Sequence, residues 1–177
     1  MTLFDRVRSL LDDRRVSYAV IGAAALASAG VARSTYDIDL LVVDRSVLQN
    51  EFWAALMNQG VEVEVRRGDA EDPLAGVVRV EAPDQRPVDV IVGRHDWQRR
   101  AVDRAETAGG GPPVVTATDL ILLKLYAGGN QDLWDIDALL HVPGAEGLPS
   151  RVEAELAALP PVMRDRWARV RSGASRG

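Results

Sequence analysis

The sequence predicts a mixed α/β (α+β) fold, in which one mixed sheet is flanked by helices and followed by a C-terminal helical annex. Strand-length apolar segments alternate with helix-forming segments over the first 108 residues, and the later segments are helical in pattern. A glycine–proline stretch, residues 109–113 (GGGPP), separates the two parts as a linker. A chain of 177 residues with 47% hydrophobic content can bury one sizeable core but not two ordinary ones. We therefore expect a core over residues 1–108 with the annex, residues 113–177, packed on it.

The N-terminal elements follow from hydrophobic periodicity. Apolar residues recur at helical spacing over residues 3–15 with charged residues between them, which predicts an amphipathic surface helix. Residues 17–21 (SYAVI) indicate a short strand that ends at Gly22, and the alanine-rich segment after it favours a helix as far as Gly30. Together these segments predict a strand–turn–helix unit.

The middle of the core is predicted to be mainly sheet. Residues 36–43 (YDIDLLVV) begin with acids alternating with apolar residues and end as an apolar run, as in a strand buried on both faces at its far end. A helix is expected from Ser46, a good N-cap, to residue 58. The three short strands that follow are close enough together to form an antiparallel meander, over residues 61–65, 77–80 and 87–92.

The remaining chain is predicted to be helical apart from the linker. Helical pattern extends from residue 93 to residue 108. Beyond the linker, Thr118 or Asp119 can cap a mostly buried helix (DLILLKLYAG), and a second helix (QDLWDIDALL) follows it. Two more helices are expected over residues 148–159 and 162–170, on either side of a Pro-Pro pair.

Composition and charge exclude several classes of protein. A formal net charge of -5 argues against a protein that coats nucleic acid, although two local basic stretches occur, at residues 66–67 and 94–104. The sequence has neither an apolar run of membrane-spanning length nor a signal-peptide pattern, so a cytoplasmic protein is expected. The absence of cysteine leaves oxygen ligands, and hence hard cations such as Mg²⁺, as the natural metal chemistry.

Paired acids point to a metal site. Residues i and i+2 of a strand share a face, so Asp37 and Asp39 are expected side by side, and their mutual repulsion favours a nearby cation. Asp89 has the same setting, an acid inside an apolar strand (PVDVIV). If its strand lies beside theirs, three carboxylates surround one volume. In the alternative interpretation Asp37 caps a turn, Asp39 pairs with Arg33 and Asp89 is an ordinary edge-strand acid.

These residues resemble the nucleotidyltransferase superfamily of DNA polymerase β type. YAVIGAAALASAGVARSTYDIDLLV (residues 18–42) is similar to the first motif of that superfamily, and VDVIV is similar to the segment with its third acid. LILLKLYAGGNQDLWDIDALL (residues 120–140) resembles the helical segment of the small bacterial branch that contains AbiEii-type toxins. The resemblance covers most of residues 17–140 and implies a nucleotidyltransferase-type fold.

The resemblance also implies an activity and its residues. The activity is metal-dependent transfer of a nucleoside monophosphate from an NTP to an acceptor hydroxyl. Asp37, Asp39 and Asp89 would be the catalytic, metal-binding residues, with two Mg²⁺ ions, or Mn²⁺ in their place. The turn at Gly22 and Ala23 would contact the triphosphate through backbone N–H groups. Here the chain departs from the family, which usually has Gly-Ser or Gly-Gly at this turn.

Further charged residues have two interpretations each. Arg33 either contacts phosphate or braces an acid through a salt bridge. Lys124 lies on an otherwise apolar helix, so its ammonium should face either an acid or a bound nucleotide. Asp132 and Asp135 share a helix face, where they would pair with Lys124, order the site, or simply favour the helix dipole.

The sequence leaves the biological role open between hypotheses. The acceptor could be RNA such as a tRNA 3′ end, a protein or a small molecule, and the AbiEii resemblance suggests the toxin of a toxin–antitoxin pair with an antitoxin partner. An acidic acceptor pocket would favour a small-molecule antibiotic as acceptor. The alternative is a non-catalytic nucleotide-binding module that keeps the fold.

Overall fold

The computed structural model describes residues 1–33 and 36–173, so Ser34, Thr35 and residues 174–177 lie outside the description. The helices are α1 (Leu3–Asp13), α2 (Gly22–Ser28), α3 (Ala54–Met57), α4 (Asp96–Asp103), α5 (Ala117–Ala127), α6 (Asn130–Leu140), α7 (Leu148–Leu156) and α8 (Pro161–Arg171). The strands are β1 (Tyr18–Val20), β2 (Ile38–Val42), β3 (Glu62–Arg67), β4 (Gly76–Glu81), β5 (Val88–Val92), β6 (Glu106–Thr107) and β7 (Pro113–Val114). Within the described ranges, no helix is long and apolar enough to cross a membrane.

All strands of the described chain belong to one seven-stranded mixed sheet with the order β3-β4-β5-β2-β1-β7-β6. Strands β3, β4 and β5 form the expected antiparallel meander, and β5 then pairs in parallel with β2. Strand β1 is antiparallel to β2 and parallel to β7. The predicted mixed α/β fold is therefore confirmed.

The sheet separates two hydrophobic cores, and alternation along each strand decides which core a side chain enters. In β5, the side chains of Val88, Val90 and Val92 are buried in a core shared with α1 and with residues 47–56. Asp89 and Ile91 point to the opposite face, which the α2 and α5–α8 helices cover in part. Because Asp89 lies beyond the covered part of that face, its carboxylate is only partly buried.

The helix expected from Ser46 to residue 58 is replaced by two 3₁₀ turns, Arg45–Leu48 and Asn50–Trp53, and by the short helix α3. The Asp44 side chain accepts from the Ser46 backbone N–H and starts the first turn early. The backbone is extended at Gln49, between the two turns. The indole of Trp53 donates to the carbonyl of Val47 at 2.7 Å, and this interior hydrogen bond holds the broken conformation.

The linker expected at residues 109–113 is instead mostly the turn of a hairpin. Helix α4 ends at Asp103, and β6 and β7 form an antiparallel pair on either side of the glycines. Gly109 and Gly110 have φ values of +57° and +74°, a left-handed conformation that glycine adopts without strain. Strand β7 then joins the main sheet next to β1. The division into a core over residues 1–108 and an annex over residues 113–177 stays a prediction.

Candidate active site

Three acids lie at the start of two parallel strands. Asp39 of β2 is directly opposite Asp89 of β5, and Asp37 is two residues before Asp39. Residues directly opposite each other in neighbouring strands point to the same face, so the carboxylates of Asp39 and Asp89 project together. The next residues of β2, Leu40 to Val42, are fully buried, and this anchoring fixes the register that brings the two acids together.

The carboxylates of these three acids bring negative charges close together. Burial raises the pKa of the Asp39 carboxyl, and the charges of Asp89 and Asp37 raise it further, while Lys124 and Arg33 oppose the shift. Burial also raises the pKa of Asp89, against the opposing charge of Arg79. A carboxylate with a raised pKa next to other carboxylates is stabilised when a cation arrives.

The turn at Gly22 packs against Asp39. Gly22 has a φ of +62°, and a Cβ built on it would lie 2.0 Å from Oδ2 of Asp39, so the carboxylate of Asp39 would have to move. The helix α2 begins at this glycine, so its first backbone N–H groups, which have no intrahelical acceptor, lie close to the acids. Ala23 follows, with its side chain 8% exposed. The close approach explains why glycine is required at position 22.

A second group of charges, here called the buried ion cluster, consists of Arg33, Lys124, Asp132 and Asp135. The ammonium Nζ of Lys124 lies 2.6 Å from Oδ2 of Asp135 and 3.1 Å from Oδ1 of Asp132. Arg33 forms an ion pair with the same oxygen of Asp135. The sequence predicts that Lys124 faces either an acid or a bound nucleotide, and the contacts of its ammonium in the structure are with acids. Arg33 pairs with Asp135 and not with Asp39, because α6 brings Asp135 within its reach.

Sequence reasoning missed Arg79, which lies in the same row as the acids. Arg79 of β4 is directly opposite Asp89 of β5. Its Nη1 is 2.9 Å and 3.2 Å from the two oxygens of Asp89 and 3.5 Å from Oδ2 of Asp37, and its Nε donates to Oε1 of Glu81 at 2.8 Å. The sequence signal that could have identified Arg79 is the antiparallel hairpin GVVRVEAPDQRPVDV, because the register of its two strands decides which residue faces Asp89. We call Asp37, Asp39, Asp89 and Arg79 the acidic row.

Arg86 was also missed, and it holds the backbone that leads into β2. Its Nε donates to the carbonyl of Tyr36 at 2.8 Å and its Nη2 to the carbonyl of Asp37 at 3.4 Å. In addition, the N–H of Ile38 donates to the carbonyl of Pro87 at 3.0 Å. These bonds tie the approach to β2 to the turn before β5, so the two acid-bearing strands start at the same level.

The carboxylate oxygens of the three acids are suitable ligands for a hard divalent cation, but the three carboxylates do not converge on one position. Within the described ranges, no three acidic, imidazole or thiol side chains are grouped closely enough to hold a metal ion. Asp37, Asp39 and Asp89 nevertheless supply oxygen ligands of the kind that Mg²⁺ prefers. The guanidinium of Arg79, which contacts two of them, shows that this place attracts positive charge.

Comparisons with known proteins support the fold. No protein-family model and no curated protein matches the chain. A solution structure of the antibiotic-resistance factor ANT(2'')-Ia matches with a TM-score of 0.55 at 17% identity, over 99% of this chain and 96% of that chain. A crystal structure of ANT(2'')-Ia in complex with adenylyl-2''-tobramycin matches with a TM-score of 0.54 at 16% identity, over 93% of this chain and 97% of that chain. The chain therefore has the fold of nucleotidyltransferases.

A third structure is similar over a smaller part of its own chain. Terminal uridylyl transferase 4 from Trypanosoma brucei with bound CTP has a TM-score of 0.38 and 15% identity, over 90% of this chain and 54% of that chain.

Proposed function

We propose that the chain is a Mg²⁺-dependent nucleotidyltransferase, which transfers a nucleoside monophosphate from an NTP to an acceptor hydroxyl and releases pyrophosphate. One observation carries the proposal: Asp39 and Asp89 face each other across parallel strands, with Asp37 beside them, in a chain with the fold of nucleotidyltransferases. The packing of Gly22 against Asp39 supports it, since the first backbone N–H groups of α2, which have no intrahelical acceptor, follow at this turn.

Asp37, Asp39 and Asp89 would hold the divalent cations, two in our proposal and either Mg²⁺ or Mn²⁺. When bound, the ions would neutralise charge on the triphosphate and make the acceptor hydroxyl more acidic. The crowded charge around Asp39 supports this assignment, because a carboxylate with a raised pKa is the one that a cation stabilises most.

The transfer balances in atoms and charge. The acceptor oxygen forms a bond to the α-phosphorus, and the bond from that phosphorus to the oxygen bridging to the β-phosphate breaks, so pyrophosphate leaves with the bridging oxygen. Asp89 is assigned to accept the hydroxyl proton, because it lies at the end of the row next to β4 and burial raises the pKa of its carboxyl. The N–H groups of Gly22 and Ala23 are assigned to the phosphates.

Arg33 and Lys124 have different exposure and therefore different assigned roles. The side chain of Arg33 is 36% exposed, so it can reach a phosphate while Asp135 orients it. That of Lys124 is 9% exposed and has two acidic partners. We assign Lys124, with Asp132 and Asp135, to ordering the site from behind. A direct contact between Lys124 and the nucleotide stays a prediction of the sequence.

A cationic small molecule is the acceptor that the surface beside Asp89 favours. Glu62, Glu64 and Glu81 share the face of Asp89 through the pairing of β3, β4 and β5, and Arg66 and Arg79 are the bases among them. The basic stretch that begins at residue 94 follows the far end of β5 and is remote from the acids. A nucleic-acid acceptor would bring phosphates to an acidic surface. The toxin role and the antitoxin partner stay predictions of the sequence.

The test is transfer of label from α-³²P-labelled NTPs to a panel of acceptors: an aminoglycoside, total tRNA and a mixture of proteins. We expect Mg²⁺-dependent labelling of the cationic small molecule and at least about a thousandfold loss in Asp39→Asn, since a ligand that acts in the transition state is removed. Asp13→Asn, which changes an exposed acid at the end of α1, is the matched control and should keep full activity.

The outcomes separate the proposal from its alternative. Full activity of Asp39→Asn would contradict the metal assignment. Mg²⁺-dependent NTP binding without transfer to any acceptor in the panel would favour the non-catalytic nucleotide-binding module, for which the buried, hydroxyl-free Ala23 at the phosphate turn is the specific argument.

A further inference from the structure

Arg79 occupies the side of the acidic row where a cation would have to bind. It touches both oxygens of Asp89 and one oxygen of Asp37, two of the three acids assigned to the metal. Guanidinium and a divalent cation seek the same oxygen lone pairs, and they repel each other. The two cannot share these oxygens while Arg79 keeps its present contacts.

The contacts of Arg79 are set by the sheet and not by a flexible surface encounter. The residue lies opposite Asp89 in one neighbouring strand and opposite Glu64 in the other. Val78 and Val80, on either side of it, are fully buried in the opposite core, so the backbone at Arg79 cannot shift. Its Nε is held by Glu81 at 2.8 Å, which aims the far end of the guanidinium at Asp89. Arg79 is thus the counter-ion that the sheet places beside Asp89 and Asp37.

We propose that Arg79 is a positioning residue that holds Asp37 and Asp89 in the metal-free protein and competes directly with the acceptor-side divalent cation for them. The inference rests on the proposed function, because it needs the cation to bind at these acids. Arg79 would therefore have two effects. It would lower the affinity of the site for the cation, and it would reduce the repulsion between Asp37 and Asp89 when no cation is bound.

Two acids beside the acidic row, Glu81 and Glu64, could accept the displaced guanidinium. Glu81 already binds its Nε, and Glu64 lies opposite it on β3, where Glu64 now pairs with the exposed Arg66. A rotation of the Arg79 side chain away from Asp89 therefore moves its charge from one set of acids to another. The cation can take over the oxygens of Asp89 without leaving a buried, unpaired charge behind.

The experiment is a titration of Mn²⁺ into the nucleotide-free protein, followed by electron paramagnetic resonance of the free ion. Arg79→Gln removes the charge and should bind Mn²⁺ at least about tenfold more tightly than the wild type, because a unit charge no longer opposes a dication at the same oxygens. Arg79→Lys keeps the charge and should stay near the wild-type affinity. Arg66→Gln, on the same face but in an exposed pair with Glu64, is the matched control and should change affinity little.

A second measurement keeps the test independent of any folding defect. Thermal unfolding of Arg79→Gln should begin lower than that of the wild type without metal, since Asp37 and Asp89 then repel each other unopposed, and the difference should close at saturating Mn²⁺. Equal Mn²⁺ affinities of wild type and Arg79→Gln, with binding lost in Asp37→Ala/Asp39→Ala, would overturn the role of Arg79 alone. Failure of every variant to bind Mn²⁺ would overturn both this inference and the proposed function.

Discussion

The acidic row and the buried ion cluster are neighbours, yet their charges are balanced differently. In the row, Arg79 forms ion pairs with Asp37 and Asp89 and is also shared with Glu81, while Asp39 has no ion pair among the described residues. In the cluster, two bases meet two acids, and Lys124 and Asp135 are almost completely buried. A group with surplus negative charge has a use for an additional cation, whereas a neutral group is complete without one. The difference supports our proposal that the row carries the chemistry and that the cluster orders the site.

Removal of one partner from the cluster should have the largest effect on stability. Lys124→Met leaves Asp135 buried with only Arg33 as its ionic partner, so we expect the free energy of unfolding to fall by about 3 kcal/mol, at the lower end of the range for a broken buried pair. Urea unfolding followed by circular dichroism measures this change.

The control for this prediction is the double variant Lys124→Met/Asp135→Leu, which removes the ionic pair at its centre and should regain part of the lost stability. If Lys124→Met instead unfolded like the wild type but no longer bound NTP, Lys124 would belong to the nucleotide site and the comparison between row and cluster would fail.

Substitution of Gly22 should have the next largest effect on stability, because an added side chain would contact Asp39 of the acidic row. In Gly22→Ala the new methyl group meets Oδ2 of Asp39, and alanine must also adopt a φ of +62°. We expect a loss of about 2 kcal/mol in unfolding free energy, together with a loss of Mg²⁺-dependent NTP binding.

Gly60→Ala is the matched control for Gly22→Ala. Gly60 has a φ of +79°, but a methyl group added there would meet nothing within 4 Å, so only the backbone strain is reproduced. This variant should lose about 1 kcal/mol and bind NTP normally. Equal NTP binding by the two alanine variants would show that the approach of Gly22 to Asp39 has no part in the site.

The smallest predicted effect is a gain in stability from a substitution that removes activity. Because burial raises the pKa of Asp39, the native protein keeps a proton at pH values where the unfolded chain, with a carboxyl pKa near 3.8, has lost it. The contribution of Asp39 to native stability is therefore full below pH 3.8 and falls as the pH rises through its native pKa. Asp39→Asn avoids this loss.

At pH 7 without added metal, Asp39→Asn should be more stable than the wild type by about 1 kcal/mol, and the two should converge towards about pH 3. Thermal unfolding across this pH range measures the difference. A variant less stable than the wild type at pH 7 would mean that Asp39 is already well compensated in the metal-free protein, which contradicts the description of the row as a site of surplus negative charge.

Local pattern was sufficient to predict strands β1 to β5 and the face that Asp37 and Asp39 share, because strand periodicity is a property of neighbouring residues, but it did not predict the hairpin of β6 and β7. It was also sufficient to place Asp89 in a strand of the same kind. It could not supply the role of Arg79, since that depends on the register between β4 and β5, and register is set by pairing across the sheet. The break in the expected helix at residues 46–58 likewise depends on the bond from Trp53 to Val47, which packing creates.

Nucleotide binding at the acids can be measured by isothermal titration of each NTP, with Mg²⁺, into the wild type and into Asp37→Ala/Asp39→Ala. Asp12→Ala/Asp13→Ala removes two exposed acids at the end of α1 and serves as the control with the same change in charge. We expect Mg²⁺-dependent binding of at least one NTP in the wild type and the control, and its loss in Asp37→Ala/Asp39→Ala. Absence of NTP binding in the wild type, or binding unchanged by loss of the two acids, would contradict the proposed function.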